Sequence, residues 1–297
     1  MDWESHKKHR IQVADDLGQW LGLLDENGTP ICDLPQPITM QAVKQRSGIA
    51  NLQLLLDLGN ERLGGAHPAI RALIDDTVGL TDAAGRITPT PHTRIVVIQR
   101  RGTARRMCFE VAQRKSKAPS GGHHVMEIAG ADMLTKLQRF PLMSMPKAWA
   151  SMKKGYGWAE TFTAWESFGI TIPLDEKRRV KRVTLATAAT GGLTIGGEEP
   201  GEITMWKALD QSLSAGFKAL GVRQSIVAVK PASRVVAPML IRPTDADIWQ
   251  ELHSRAGAAG INVTSDWWFP GDPQPELSPN HPELTDSTLL IRLETAQ

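Results

Sequence analysis

His123, His124 and Glu127 come nearest in this chain to a metal-ligand set. On a strand, His123 and Glu127 share a face but stand about 13 Å apart along the rise, too far to hold one zinc ion. Neither HExxH nor a CxxC pair occurs, so a solvated loop end beside Gly121 and Gly122 is the expectation. GGLTIGGEEPG at 191–201 is glycine-rich like a phosphate loop. It lacks the Lys and Ser or Thr that reach phosphate and magnesium, and Glu198 and Glu199 would repel a phosphate. Asp132 could serve as a catalytic carboxylate, yet it stands where Met133-Leu134 need a helix cap. The run EKRRVKR holds Lys177, Arg178, Arg179, Lys181 and Arg182. It could meet phosphates, but no stacking aromatics are interleaved with it. A solvated face, or an interface with an acidic neighbour, is therefore expected. In WWF at 267–269, strand alternation puts Trp267 and Phe269 on one face and Trp268 on the other. Either both faces are core, or one is covered by another subunit. No active site assembles from these residues, and no cofactor or metal is expected.

The elements that must position them read as follows. Residues 10–24 run from alternating to apolar, a strand pattern, and Asn27-Gly28 signals a hairpin turn. After Pro35 and Pro37, two strands flank Ser47-Gly48, and HPAIRALIDDTV is a short amphipathic helix with Pro68 in its first turn. RIVVIQRR, Gly102 and RRMCFEVAQRK form a hairpin; SKAPSGG is a loop, HHVMEIAG a third strand, and 131–140 a short helix. Residues 141–182 crowd Met, Trp, Lys and Gly with poor periodicity, and read as a connection between an N-terminal β-rich domain (1–140) and a C-terminal α+β domain (183–297). In the latter, Ile203, Trp206, Leu209, Leu213 and Phe217 stripe one helix that ends at Gly221. Ile248, Trp249 and Leu252 stripe another, with Thr244 as its cap and Asp245 and Asp247 in its first turn. SIVAVKP, SRVVAPMLI, INVTSDWWF and STLLIRLETA are strands. The fold class is α+β, dominated by strands, with a few short helices.

The totals bound the function classes. With 41% hydrophobic and 22% charged residues, 297 residues describe a globular protein with a core. A net charge of +2 argues against a dedicated nucleic-acid binder. No apolar run is long enough to span a membrane. MDWESHKKHR is charged and lacks an apolar core, so no Sec-type signal peptide is expected. Cys32 and Cys108 are expected to be free thiols of a protein made in a reducing cytosol. Nine Trp against one Tyr and six Phe is unusual, since Trp is enriched where surfaces are buried between partners. Trp206, Trp249, Trp267, Trp268 and Phe269, with the basic run, are thus candidate interface residues.

The order strand–Gly–strand (RIVVIQRRGTARRMCFEVAQRK), small-residue loop, strand ending in Gly-x-Asp (MEIAGAD) and Leu-containing short helix resembles the first half of siphophage tail-tip hub proteins, a group of phage minor tail proteins. Gly130 and Asp132 match the Gly-x-Asp element, whereas Glu110 stands where the family's hairpin usually has Gly. TDADIWQELHSRAGAAGINVTSDWWFPGD is similar to the family's later helix-then-strand unit. The resemblance runs through most of the chain on short motifs.

That resemblance implies split β-barrel-like hub domains arranged in a ring of identical copies, commonly a trimer, in the virion tail after synthesis in the host cytoplasm. Such a ring joins the distal tail ring to receptor-binding or fibre proteins and opens to pass the tape-measure protein and DNA. Three other readings stand beside it. One is the distal tail ring protein, often a hexamer. Another is a tail-associated cell-wall hydrolase, which would need Asp132, Glu127 or Asp266 to face a second acid. The third is a module binding cell-surface carbohydrate, to which WWF is the pointer.

Overall fold

In the computed structural model the described residues are 2–43, 45, 48–60, 67–74, 81–86, 93–117, 123–140, 183–184, 194–195, 205–231, 246–279 and 281–295. The helices are α1 (Trp3–Leu17), α2 (Ala69–Leu73), α3 (Met205–Leu220) and α4 (Ile248–Ala258), with a 3₁₀ segment at Met133–Arg139. The strands are β1 (Gln19–Leu24), β2 (Pro30–Asp33), β3 (Thr39–Ala42), β4 (Asn51–Asn60), β5 (Ile95–Arg100), β6 (Arg106–Lys117), β7 (His123–Asp132), β8 (Val183–Thr184), β9 (Thr194–Ile195), β10 (Ile226–Ala228), β11 (Ile261–Trp268) and β12 (Thr288–Thr295). The described residues are strand-dominated, as expected. The chain divides into two units: Met1–Thr135 with Thr264–Pro275 and Asn280–Ile291, and Lys136–Val263 with Glu276–Pro279 and Arg292–Gln297.

The first unit is built on a seven-stranded sheet ordered β2-β1-β5-β6-β7-β4-β3. The pairs β1–β2, β1–β5, β5–β6, β6–β7, β7–β4 and β4–β3 are all antiparallel. β2 and β3 are its outer strands and do not pair with each other, so the sheet is not a closed barrel. β4 alternates cleanly. Leu52, Leu54, Leu56 and Leu58 are buried, while Asn51, Gln53 and Asp57 are exposed. The buried set packs with Leu21, Leu23, Val96, Ile98, Phe109, Met126, Ile128 and Leu73 in one core. Each fully buried leucine contributes roughly 1.5–3 kcal/mol relative to exposure. The Asn27-Gly28 turn forms as expected: Gly28 has φ 81°, and the Asp25 carboxylate accepts from the N–H groups of Asn27 and Thr29.

Residues 10–17 are helical, which corrects the strand expected from residue 10 onward. The Asp2 side chain accepts from the N–H groups of Glu4 and Ser5, Glu4 sits in the first turn, and Gly18 ends α1 at φ 86°. Its buried positions are Arg10 and Ala14, while Ile11 and Leu17 are exposed. The helix therefore has no apolar stripe, and its few apolar residues mimic alternation. Five described residues of HPAIRALIDDTV form α2, and the rest of that stretch beyond Ile74 lies outside the described residues.

In the second unit, α3 buries Trp206, Leu209, Leu213 and Phe217 as the spacing predicted. Ile203 lies outside the described residues. Phe217 packs on Phe140 with ring centroids 4.9 Å apart. The cap of α4 is Asp247, whose carboxylate accepts from the Gln250 N–H at 2.8 Å. That corrects the assignment to Thr244, because the helix starts at Ile248, beyond the reach of residue 244. Thr244, Asp245 and the strand SRVVAPMLI lie outside the described residues. β8 pairs with β9 in an antiparallel pair.

Candidate functional site: an arginine clasp and a sheet with open edges

The unit on which the resemblance rests folds as one piece. β5 and β6 pair around Gly102 (φ 68°), and β7 follows on the far side of β6. A Cβ at Gly130 would lie 2.6 Å from the Glu110 carbonyl oxygen, so only glycine permits this approach of β7 to β6. β6 shifts register between Val111 and Gln113, a bulge that bends the strand just after Glu110. Asp132 accepts from the Leu134 N–H at 2.9 Å and from the Ser265 hydroxyl at 2.7 Å. It caps the 3₁₀ segment, as its position predicted.

A buried polar network among the described residues of the first unit is one that no local pattern announces. Arg10 of α1 and Arg106 of β6 are both buried. Arg10 donates to Gln99 Oε1 at 2.6 Å and to Asp272 Oδ1 at 3.3 Å. Arg106 donates to the same Gln99 oxygen at 3.0 Å and to the Trp267 carbonyl at 2.6 Å, and pairs with Asp272 Oδ2 at 2.8 Å. Its backbone N–H donates to Asp266 Oδ1 at 3.0 Å. The Phe269 ring lies beneath both guanidinium groups, 4.7 Å from Arg10 and 5.2 Å from Arg106. Around it stand Trp3, His6 and Trp20. Burial and the neighbouring Arg10 depress the His6 imidazole to about 4, and burial lowers Arg10 to about 10. This clasp ties α1 to the segment 266–272.

Each residue singled out from sequence can now be located. Trp267, Trp268 and Phe269 are all buried in the first unit, so both faces of WWF are covered by this chain. Trp267 packs on Gly28, and the Trp268 indole N–H donates to the Pro273 carbonyl at 3.1 Å. In the second unit, Trp206 and Trp249 are 8% exposed; the Trp206 indole N–H donates to the Ala228 carbonyl, and Trp249 packs on His253. Arg178, Arg179, Lys181, Arg182 and Lys177 lie outside the described residues, as does most of 191–201. Glu127 pairs with Lys117 at 2.9 Å, which holds its carboxyl below the usual range. Asp132, Glu127 and Asp266 are each engaged by a donor. Cys32 and Cys108 are free thiols, and burial raises Cys32 to about 11.

What the first unit leaves open is its sheet edges. Among the described residues β2 pairs only with β1, and β3 only with β4. Ile31 on β2, and Ile38 and Val43 flanking β3, are 39%, 58% and 52% exposed. Unpaired backbone groups beside exposed apolar side chains are a template for an added strand.

No protein-family model matches the chain. No curated protein matches it in sequence. Among solved structures, the chain is similar to the tail protein from Neisseria meningitidis MC58, with a TM-score of 0.36 and 12% identity over 92% of this chain and 50% of that one. The chain spans about half the length of that protein, and a likeness of that degree carries no argument about function.

Proposed function

We propose that this protein is an architectural component of a bacteriophage tail tip, a hub subunit that assembles with copies of itself into a ring, a trimer in the first instance. The ring joins the tail tube to distal receptor-binding or fibre proteins and lets the tape-measure protein and DNA pass. In this reading the chain's work is assembly rather than catalysis. The observation that carries it is the β5–β6–β7 unit, in which, of the two residues of the resemblance, Gly130 permits the close approach of β7 to β6 and Asp132 caps the 3₁₀ segment. Among the described residues β2 and β3 have no outer partner strand, and in this reading they offer strands for a neighbour to extend.

A split-barrel form fits the same sheet. Its outer strands are joined by residues 34–38 alone. From Asp33 to Thr39 the chain reaches at most about 20–22 Å. A flat seven-stranded sheet would hold its outer strands about 29 Å apart. A curled sheet with a seam between β2 and β3 relieves that mismatch.

The test is immunogold electron microscopy of virus particles from the organism that encodes the chain, combined with copy counting by quantitative mass spectrometry. Label confined to the tail tip at three copies supports the hub. Six copies would instead identify the distal ring, and particles without label would remove the tail reading altogether.

A further inference from the structure

On the outer face of the first unit's sheet, β6, β7, β4 and β3 line a hollow of about 340 Å³. That is at the small end of the range of ligand pockets, about 300–1,000 Å³. Two cross-strand rows make it. Gln113 stands opposite Ala129, Ala129 opposite Gln53, and Gln53 opposite Gln41. In the next row Lys115 stands opposite Glu127, Glu127 opposite Leu55, and Leu55 opposite Thr39. Gln113 and Gln53 are two strand spacings apart, about 10 Å, with only the Ala129 methyl between them. The bulge after Val111 brings Gln113 onto this face.

The chemistry of this slot is specific. Both glutamines are exposed, and neither amide is engaged by another described residue. Each carboxamide offers donor and acceptor in one plane, the complement of a vicinal pair of hydroxyls. Glu127 offsets one of the two ammonium groups beside it, Lys117 and Lys115, which leaves a single net positive charge at the rim. One net charge is too little to hold a polyanion, whose binding draws on several basic contacts. We infer that this slot is a binding site for a neutral glycan, one or two sugar rings lying over Ala129 between Gln53 and Gln113. The inference is independent of the tail-tip reading, and its test reads binding alone.

The full chain is titrated with a β-1,4-linked hexamer of N-acetylglucosamine, an α-1,4-linked glucose hexamer and a heparin-derived hexasaccharide, while the glutamine side-chain amide resonances are followed. Saturable shifts of Gln53 and Gln113 with a neutral hexamer, at a Kd of about 1 mM, are expected. Replacing both by leucine (Gln53→Leu with Gln113→Leu) lowers the affinity at least about tenfold, one lost charge-free hydrogen bond at each position sufficing. Ala129→Leu, which fills the floor of the slot, does the same while leaving both amides in place; unchanged thermal melts confirm that the variants fold. No saturable shift with either neutral hexamer at about 10 mM, binding of the heparin fragment alone, or undiminished binding in the double variant would overturn the assignment.

Discussion

Arg10 and Arg106 share a single acceptor: Gln99 Oε1 takes a hydrogen bond from each guanidinium, at 2.6 and 3.0 Å, inside the first unit. Two like charges are held together there by neutral acceptors (Gln99 Oε1, the Trp267 carbonyl and His6 Nδ1), one carboxylate (Asp272) and the face of Phe269. The arrangement is stable only while every partner is present, because a buried charge that loses its partner keeps its full desolvation cost.

Asp272→Ala should therefore lower the unfolding free energy by about 3–5 kcal/mol, the usual result of removing one member of a buried ion pair. Gln99→Leu should cost less, about 1–3 kcal/mol, since a neutral acceptor is lost. Urea unfolding of the two variants measures the order; equal effects would mean that Asp272 does not hold the guanidinium groups in place.

Acid should weaken this corner of the fold through His6. Its folded-state value of about 4 lies below the ordinary 6.5, so the unfolded chain binds the proton more readily. The contribution of neutral His6 is fully present above about pH 6.5, falls as pH drops through the window down to about 4, and is gone below it. Allowing for its partial exposure, the loss is about 1–2 kcal/mol. His6→Phe should flatten the dependence of the urea midpoint between pH 7 and pH 4, and a slope identical to wild type would assign the acid sensitivity to other groups.

Gly28 and Gly102 should respond differently to the same change. Both have positive φ, 81° and 68°. A Cβ at Gly28 would also lie 2.5 Å from the Trp267 ring and 2.8 Å from Ser287, whereas at Gly102 nothing lies within 4 Å. Gly102→Ala should cost about 1–2 kcal/mol of backbone strain. Gly28→Ala should add an overpacking penalty of about 1–3 kcal/mol to the same strain. Thermal melts of the pair separate the two contributions.

Asp132→Ala should remove the cap of the 3₁₀ segment and strand the Ser265 hydroxyl, costing about 1–3 kcal/mol. Asp132→Asn keeps an acceptor oxygen and should recover most of that loss, as read by chemical denaturation. An asparagine variant as unstable as the alanine would mean that the charge, rather than the cap geometry, matters.

Local chemistry made much of the first unit legible. Asn27-Gly28, Gly102 and the alternation of Leu52 to Leu58 each impose a turn or a buried face within a few residues, and the strands formed where those signals lie. Asp132 was readable as a cap for the same reason. α1 was not, because its stability comes from end capping by Asp2 and Gly18 and from one buried arginine, none of which produces an apolar period. The start of α4 was misplaced by a choice among three neighbouring cap-forming side chains, which only the backbone at Asp247 decides. The clasp was beyond reach altogether: Arg10 and Asp272 are 262 positions apart, and neither is flanked by a pattern that names the other. The burial of Phe269 follows from that clasp, since its ring lies under the two arginines.

The clasp also orders events during synthesis. The charges of Arg10 and Arg106 emerge from the ribosome long before Asp272, so the two guanidinium groups lack their shared carboxylate until that segment is made. Contacts of such sequence separation form late and slowly. A chain cut short before that segment should leave both guanidinium groups without Asp272, and Trp3 and His6 without the Phe269 ring. The clasp closes only in a molecule translated through Asp272, so α1 gains its last partner from a segment made 262 positions later.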